Sequence, residues 1–560
     1  MKNALWKTCI GSFLTAVFCL AICIMPLRAE GKSLEDMEKE LNALKAAIGN
    51  LTEQIEAVRQ KQEAAIPAFV ARKEEDDDED DLTMLKEDIR ILKEEVRTAA
   101  QAEPTLKAED LTGNVYSEFA RKVKLGAQIK TRAEYASGFY NVPDSSLPGA
   151  NGAPPGATPG TVRPRTSVDD EYVLQQTRLW ADADVNEHLG VFIQLQDSRA
   201  WGVAGSTIGF AVDRRDRSTL GLHQGYFDIK RLFDLPLTAR VGRQEIIWGD
   251  HRVIGNFVWS NMGRTFDGAR FMWDTDTINA EVFGAIVDER GFLAGRGDES
   301  VYAGRLGFKK LVPGALLELM YIQKNQHDST VNSATATGFA DSGDGKVLIH
   351  NIGARIDGKL PNLEAVDYTF EAHGQFGDYG DLTHRAYAFA GRAGYTFKDV
   401  AWTPRFGLEY SFASGDGDPD DSHHGTFDNL YPTNHWQLNY GAIDLLSWQN
   451  MHDARVNIKV SPTPKLTAQV DYHYFWLNHS ADGWYAAHGG LATPRPGVRQ
   501  GFTETSNRLA QEVDVTLSYA LYKNVHILAG YSFFDPQRWI RNEIGNIPTH
   551  WGFIQTTVTF

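Results

Sequence analysis

The residues best placed to do chemistry are cations that recur on alternate positions. In the segment Leu125 to Tyr135, Lys130 and Arg132 share one parity with Gln128 and Glu134. Leu125, Ala127, Ile129, Thr131, Ala133 and Tyr135 take the other. Later segments of the same kind put Arg178, Arg240, Arg270, Arg405, Arg455 and Lys459 on their polar side. Cations grouped around a narrow passage would concentrate anions in it. Acids share that side, including Glu134, Asp182, Glu281, Glu371, Glu409, Asp453, Asp471, Glu512 and Asp514. The alternative chemistry is therefore a ladder of ion pairs that stiffens a wall and binds nothing. Charge alone leaves the two readings even.

Catalytic arrangements are missing from the pattern. Asp416, Asp418, Asp420 and Asp421 crowd one loop, but carboxylate catalysis needs a fixed separation and one raised pKa. A calcium loop would need Gly where Asp421 stands and a bidentate Glu where Phe427 stands. Adjacent His423 and His424 do not by themselves make a metal site. No Ser-His-Asp order, phosphate-cradling glycine loop or nucleic-acid signature is present. The sequence thus predicts neither an enzyme nor a metal or cofactor site.

The elements that carry the cations are strands. From about residue 116 the apolar period is two, as in Phe406, Leu408, Tyr410 and Phe412 against Arg405, Gly407, Glu409 and Ser411. Residues 454–460, 466–476 and 513–519 repeat it. There are about 18 such segments, which is an all-β chain with the strand number of a large transmembrane barrel. Short turns near 186–189, 231–235, 310–313, 397–402, 461–464 and 521–523 alternate with long polar loops near 139–170, 203–218, 327–345, 414–446, 479–505 and 535–548. Membrane barrels have short periplasmic turns and long external loops. Thr549 to Phe560 reads as the closing strand, and an 18-stranded antiparallel barrel leaves a lumen wide enough for a channel. A net charge of −17 over 560 residues, with no apolar run of membrane-helix length after residue 29, fits a barrel better than a helical membrane protein.

The first 115 residues read differently. Lys2 and Lys7, an apolar run from Cys9 to Met25, and Ala29 predict a signal peptide over 1–29. All three cysteines lie in it, so the mature chain would have no disulfide. Leu34, Met37, Leu41, Leu44, Ile48, Leu51, Ile55 and Val58 form a heptad seam, predicting a coiled-coil helix over 30–66. That seam, within 33–63, would self-associate or grip a periplasmic partner. An acidic linker covers 67–81, a short second helix and linker 82–115, and the barrel 116–560.

One block carries a resemblance. It reads Gly242-Arg243-Gln244, Gly249-Asp250, Gly263-Arg264 and Phe266-Asp267-Gly268. Thr177-Arg178-Leu179, Ala413-Ser414-Gly415-Asp416 and Gln511-Glu512-Val513-Asp514 accompany it. In these blocks the chain resembles the alginate-export family of outer-membrane barrels. The resemblance implies a monomeric barrel passing an anionic polysaccharide through an arginine-rich lumen, and favours Arg178, Arg243 and Arg264 as functional. Alternation puts Arg243 on the lipid parity of Leu237, Ala239 and Val241 unless a bulge intervenes. The expected partners are membrane lipid, lipopolysaccharide, and an anionic polysaccharide or small anions, with no nucleic acid. The competing readings are a general diffusion porin and an envelope anchor whose coiled coil binds a periplasmic partner.

Overall fold

The computed structural model describes residues 122–140, 167–201, 218–288, 299–326, 346–418, 421–435, 438–487, 506–543 and 545–560. The predicted signal peptide, coiled coil, acidic linker and second helix lie outside these residues. Residues 118–560 form one compact unit.

In chain order the strands are β1 (Val123–Tyr140), β2 (Ser167–Asp184), β3 (Leu189–Ala200), β4 (Ser218–Ile229), β5 (Leu237–Gln244) and β6 (Phe266–Asp274). β7 (Ile278–Asp288), β8 (Glu299–Val312), β9 (Ala315–Gln326), β10 (Val347–Leu360), β11 (Leu363–Tyr379), β12 (Leu382–Thr396) and β13 (Arg405–Ala413) follow. After the two-residue β14 (His423–His424) come β15 (Met451–Thr463), β16 (Leu466–Leu477), β17 (Arg508–Tyr522), β18 (Val525–Pro536) and β19 (Thr549–Thr559). β14 pairs in parallel with the top of β12 and stands apart from the ladder, because β13 pairs directly with β15. The other strands make a closed 18-stranded antiparallel barrel. Closure runs through β1 and β19, with Ala127 and Phe560 exchanging N–H to O bonds of 2.7 and 2.9 Å. A closed ladder leaves no backbone group unpaired toward lipid.

The alternation read from sequence sets the two faces. Leu125, Ile129, Leu408, Ile458, Val470 and Leu517 point outward and are exposed, as a lipid-facing surface must be in the absence of lipid. Lys130, Arg132, Glu134, Glu409, Asp453 and Arg455 point inward and are buried. Three Tyr–His pairs mark the extracellular edge of the apolar band: Tyr321 with His350, Tyr410 with His452, and Tyr531 with His550, at 2.7–2.8 Å. Exposed Phe397, Trp402, Tyr522 and Phe560 mark the periplasmic edge. Such aromatic girdles are where amphipathic rings meet lipid headgroups.

Two expectations need correction. The alternation of short and long connections is not strict. β11 and β12 are joined on the long-loop end by Gly380 and Asp381 alone, and Gly380 takes φ 62°. The loop over 414–446 is also not an external polar loop, because Phe427, Leu430, Tyr431, Tyr440 and Leu446 are buried in an apolar core.

Candidate functional site

Two connections fold into the barrel and meet. The segment 245–265, between β5 and β6, lies against β1–β3 at one side. Lys130 Nζ reaches the Val258 carbonyl at 3.0 Å, Arg132 Nη1 that of Trp259 at 2.8 Å, and Gln176 Nε2 that of Asn261 at 2.6 Å. The same segment reaches the far wall. Asp250 pairs with Arg355 of β10 at 2.8 Å and Arg392 of β12 at 2.9 Å, and Arg252 pairs with Glu409 of β13. A segment tied to both walls crosses the lumen.

The segment 414–450, between β13 and β15, lies beside it. Gly255 N donates to Tyr431 O at 2.8 Å, Tyr431 N to Val253 O at 2.9 Å, and Thr433 N to His251 O at 2.8 Å. These bonds make the two loops one body. Ala442 N and Ile443 N donate to Glu512 of β17 at 2.8 and 3.0 Å, and Lys324 of β9 pairs with Asp428 at 2.8 Å. A third segment after β16 joins through Trp484, whose indole N–H donates to Leu445 O at 2.8 Å. Between these anchors is an apolar core including Trp248, Ile254, Phe427, Tyr431, Tyr440, Leu446 and Trp448. The extracellular half of the lumen therefore holds a packed plug, built much like a soluble domain.

The predicted cations fall into five situations. Arg132, Arg178, Arg240, Arg270, Arg405 and Arg455 face inward and pair with Glu134, Glu245, Asp228, Glu281, Asp367, and both Glu409 and Asp471. Lys130 is buried against the plug. Arg264 is held by the carbonyl oxygens of Pro432 and Gly255 at 2.7 and 3.4 Å, with no carboxylate in ion-pair range among the described residues. Burial pulls its guanidinium down to about 10, against the raising effect of Tyr431 and Glu299, so it stays cationic at neutral pH. Lys459 is exposed on the inner wall with no ion pair among the described residues. Arg243 is the correction. It faces outward, paired with Asp267 at 2.6 Å, because β5 keeps its parity without a bulge through Gln244. An exposed pair of this kind contributes about 0–1 kcal/mol. Arg243→Ala is expected to leave conductance and ion selectivity unchanged, and a changed selectivity in a salt gradient would return Arg243 to the lumen.

Sequence reasoning passed over Arg252, Arg305, Arg355 and Arg392. Arg355 lies at the centre, within 4 Å of Asp250, Glu318, Asp357 and Glu371. Its parity with Ile349 and Asn351 was a usable signal. Arg252 had none, because a loop has no period.

Asp250 and Glu245 of the plug are held in their ionised form. Burial alone would raise Asp250, but Arg392, Arg355 and Arg252 outweigh it and hold the carboxyl below the usual range. Glu245 behaves alike, with burial outweighed by His223 and Arg178. Burial lowers His251 to about 4, despite Asp250 and Glu245. These groups act in one direction. A group depressed in the plugged state favours that state fully above its free pKa, and the preference is lost as pH falls through the depressed value. For His251 the window runs from about 6.5 down to about 4. For Asp250 and Glu245 it lies below about 4. Open probability is therefore expected to rise as pH falls below about 6.5. His251→Gln should remove the upper part of that rise, and a pH profile identical in both proteins would refute the assignment.

The model of the family described as alginate export matches residues 159–550. The chain belongs to the alginate export family. The matched span runs from just before β2 into the start of β19, so this member carries the pattern across nearly the whole wall. No curated protein matches the chain. Among solved structures it is similar to Pseudomonas aeruginosa OpdL, with TM-score 0.48 and 10% identity over 79% of this chain and 99% of that one. It is also similar to Acinetobacter baumannii OccAB4, with TM-score 0.47 and 13% identity over 78% and 98%. For Pseudomonas aeruginosa OccK11 (OpdR) the TM-score is 0.45, with 11% identity over 78% and 96%. As a member of the alginate export family with a closed barrel, the chain is an outer-membrane channel.

Proposed function

We propose that this channel passes an anionic exopolysaccharide of the alginate type through a lumen closed at rest by its own loops. The family match over 159–550 carries the reading. The charge pattern supports it in a particular way. At rest the wall arginines are neutralised, several of them by carboxylates that belong to the plug. Asp250 covers Arg355 and Arg392, and Glu245 covers Arg178. When the plug moves, those acids leave with it and the wall loses compensating negative charge. A uronate carboxylate is the chemical equivalent of what departed, and can take bidentate guanidinium contacts in its place. Asp250 and Glu245 are, on this reading, its stand-ins, while the wall acids such as Glu134 and Glu281 stay with their own arginines.

The heptad over 33–63 gives the channel an arm in the periplasm, for self-association or for a periplasmic partner. The competing reading is a general diffusion porin. The deciding experiment is single-channel conductance of the purified full chain in a planar bilayer, with reversal potential in a salt gradient and added polyuronate. The expected result is a mostly closed channel whose openings prefer anions and are blocked by polyuronate. A large, weakly selective conductance untouched by the polymer would overturn the reading in favour of the porin.

A further inference from the structure

Below the plug, toward the periplasmic mouth, three neighbouring strands turn aromatic rings into the lumen. Trp180 of β2 has the inward parity of Gln176 and Arg178, which reach Asn261 and Glu245 of the plug. Phe192 of β3 has that of Gln194 and Gln196, and stands opposite Tyr226 of β4. All three rings are half-buried. A membrane barrel gains by placing rings on its lipid face, where they meet the headgroups. Rings left partly open toward the wet lumen gain nothing from lipid, so these three need another explanation.

Their geometry is organised. Trp180 faces Gly126 of β1 across the ladder, and a Cβ on Gly126 would lie 2.4 Å from the indole. Glycine there lets the indole lie over the neighbouring strand. Phe192 and Tyr226 stack with centroids 5.2 Å apart and planes 25° from parallel. Arg240 caps the run, its guanidinium 3.8 Å from the Tyr226 ring centroid. The polar groups of the strip are unspent. The Trp180 indole N–H, the Tyr226 hydroxyl and the Asp182 carboxylate have no hydrogen-bond partner among the described residues.

Flat apolar surface combined with free donors and an acceptor is the chemistry that recognises a pyranose. The C–H face of the sugar covers the ring, and its hydroxyls meet the polar edge. We propose that Trp180, Phe192 and Tyr226 form a glycan-binding strip at the periplasmic mouth, which takes successive pyranose units of a polysaccharide whatever their charge. This inference rests on the polysaccharide reading above and sharpens it: the arginines select for charge, the strip for sugar.

The test is calorimetric titration of the detergent-solubilised full chain with an oligouronate and with a neutral oligoglucoside. Both should bind the native protein. Trp180→Ala should weaken both by about tenfold, a loss on the scale of one aromatic contact. Gly126→Ala, which pushes the indole off the wall, should weaken both in the same sense while leaving the ring present. Anion selectivity in a bilayer should be unchanged in either variant, and that measurement also shows that the barrel has formed. If both variants bind both sugars as tightly as the native chain, the strip is wrong and the polysaccharide channel stands. If neither sugar binds the native chain, the strip is again wrong, and the bilayer experiment alone decides the channel. If binding depends on Trp180 but the pore shows no anion preference, the strip stands and the polyanion reading falls.

Discussion

Glu409→Gln is expected to unlock the plug and raise the open probability of the channel by about a hundredfold or more. Glu409 is a carboxylate of the wall, 1% exposed, and it holds two guanidiniums. Arg455 keeps a second partner, since Asp471 lies 2.5 Å away. Arg252 belongs to the plug; among the described residues it keeps the Tyr440 hydroxyl at 2.6 Å and the faces of the Tyr440 and Trp448 rings, with Asp250 acting on it at longer range. The substitution therefore leaves a buried cation on the moving part without a carboxylate in ion-pair contact among the described residues. Breaking a buried pair from one side costs about 3–5 kcal/mol, because the remaining charge stays desolvated. In the open state Arg252 is hydrated and that cost vanishes. The whole penalty falls on the closed state, which shifts the equilibrium by about two to three and a half powers of ten. Arg252→Met is the companion variant. It removes the plug's own charge and leaves Glu409 satisfied by Arg455, so it should open the channel less. Single-channel recordings should rank Glu409→Gln above Arg252→Met, and Arg252→Met above the native chain. Closed times equal to the native chain's in both variants would show that this pair does not hold the plug.

The ranking depends on knowing which side of the wall each residue faces, and much of that was legible in the sequence. A membrane barrel places lipid on one side of every strand, so a period of two carries inside and outside directly. Leu125 to Tyr135 and Phe406 to Phe412 have the faces their spacing implied. Arg243 is instructive because two signals disagreed. Its parity pointed outward while a family resemblance favoured a functional role, and its pairing with Asp267 on the outer face follows the parity. The plug was not legible by spacing, because a loop repeats no period and Arg252, Asp250 and Glu245 have no face until the fold supplies one. Composition offered a different signal. The stretch 427–448 contains Phe427, Leu430, Tyr431, Leu438, Tyr440, Ile443, Leu445, Leu446 and Trp448, too apolar for a segment meant to sit in water.

That composition leads to the second large effect. Trp448→Ala should also open the channel, by a route that breaks no ion pair. Trp448 is fully buried in the plug core, 5.3 Å from Phe427 and 6.2 Å from Tyr440 between ring centroids. Its indole N–H has no partner among the described residues, so the substitution removes packing and no hydrogen bond. Cutting a buried Trp to Ala costs about 3–5 kcal/mol in lost contacts and residual cavity. The barrel itself should tolerate the change, since its ladder closes through β1 and β19 without the plug. The expected result is a raised open probability with the strand signal in circular dichroism and the unfolding temperature of the barrel unchanged. Trp448→Phe should recover part of the closure, and Trp402→Ala, at an exposed periplasmic turn, should leave it alone. A loss of barrel stability in step with channel opening would mean that plug and wall fold as one unit. The Arg252 guanidinium lies 5.5 Å from the Trp448 ring, so the two perturbations share one structure. Combined with Glu409→Gln, Trp448→Ala should add far less than its separate effect, because a plug already released has no packing left to lose.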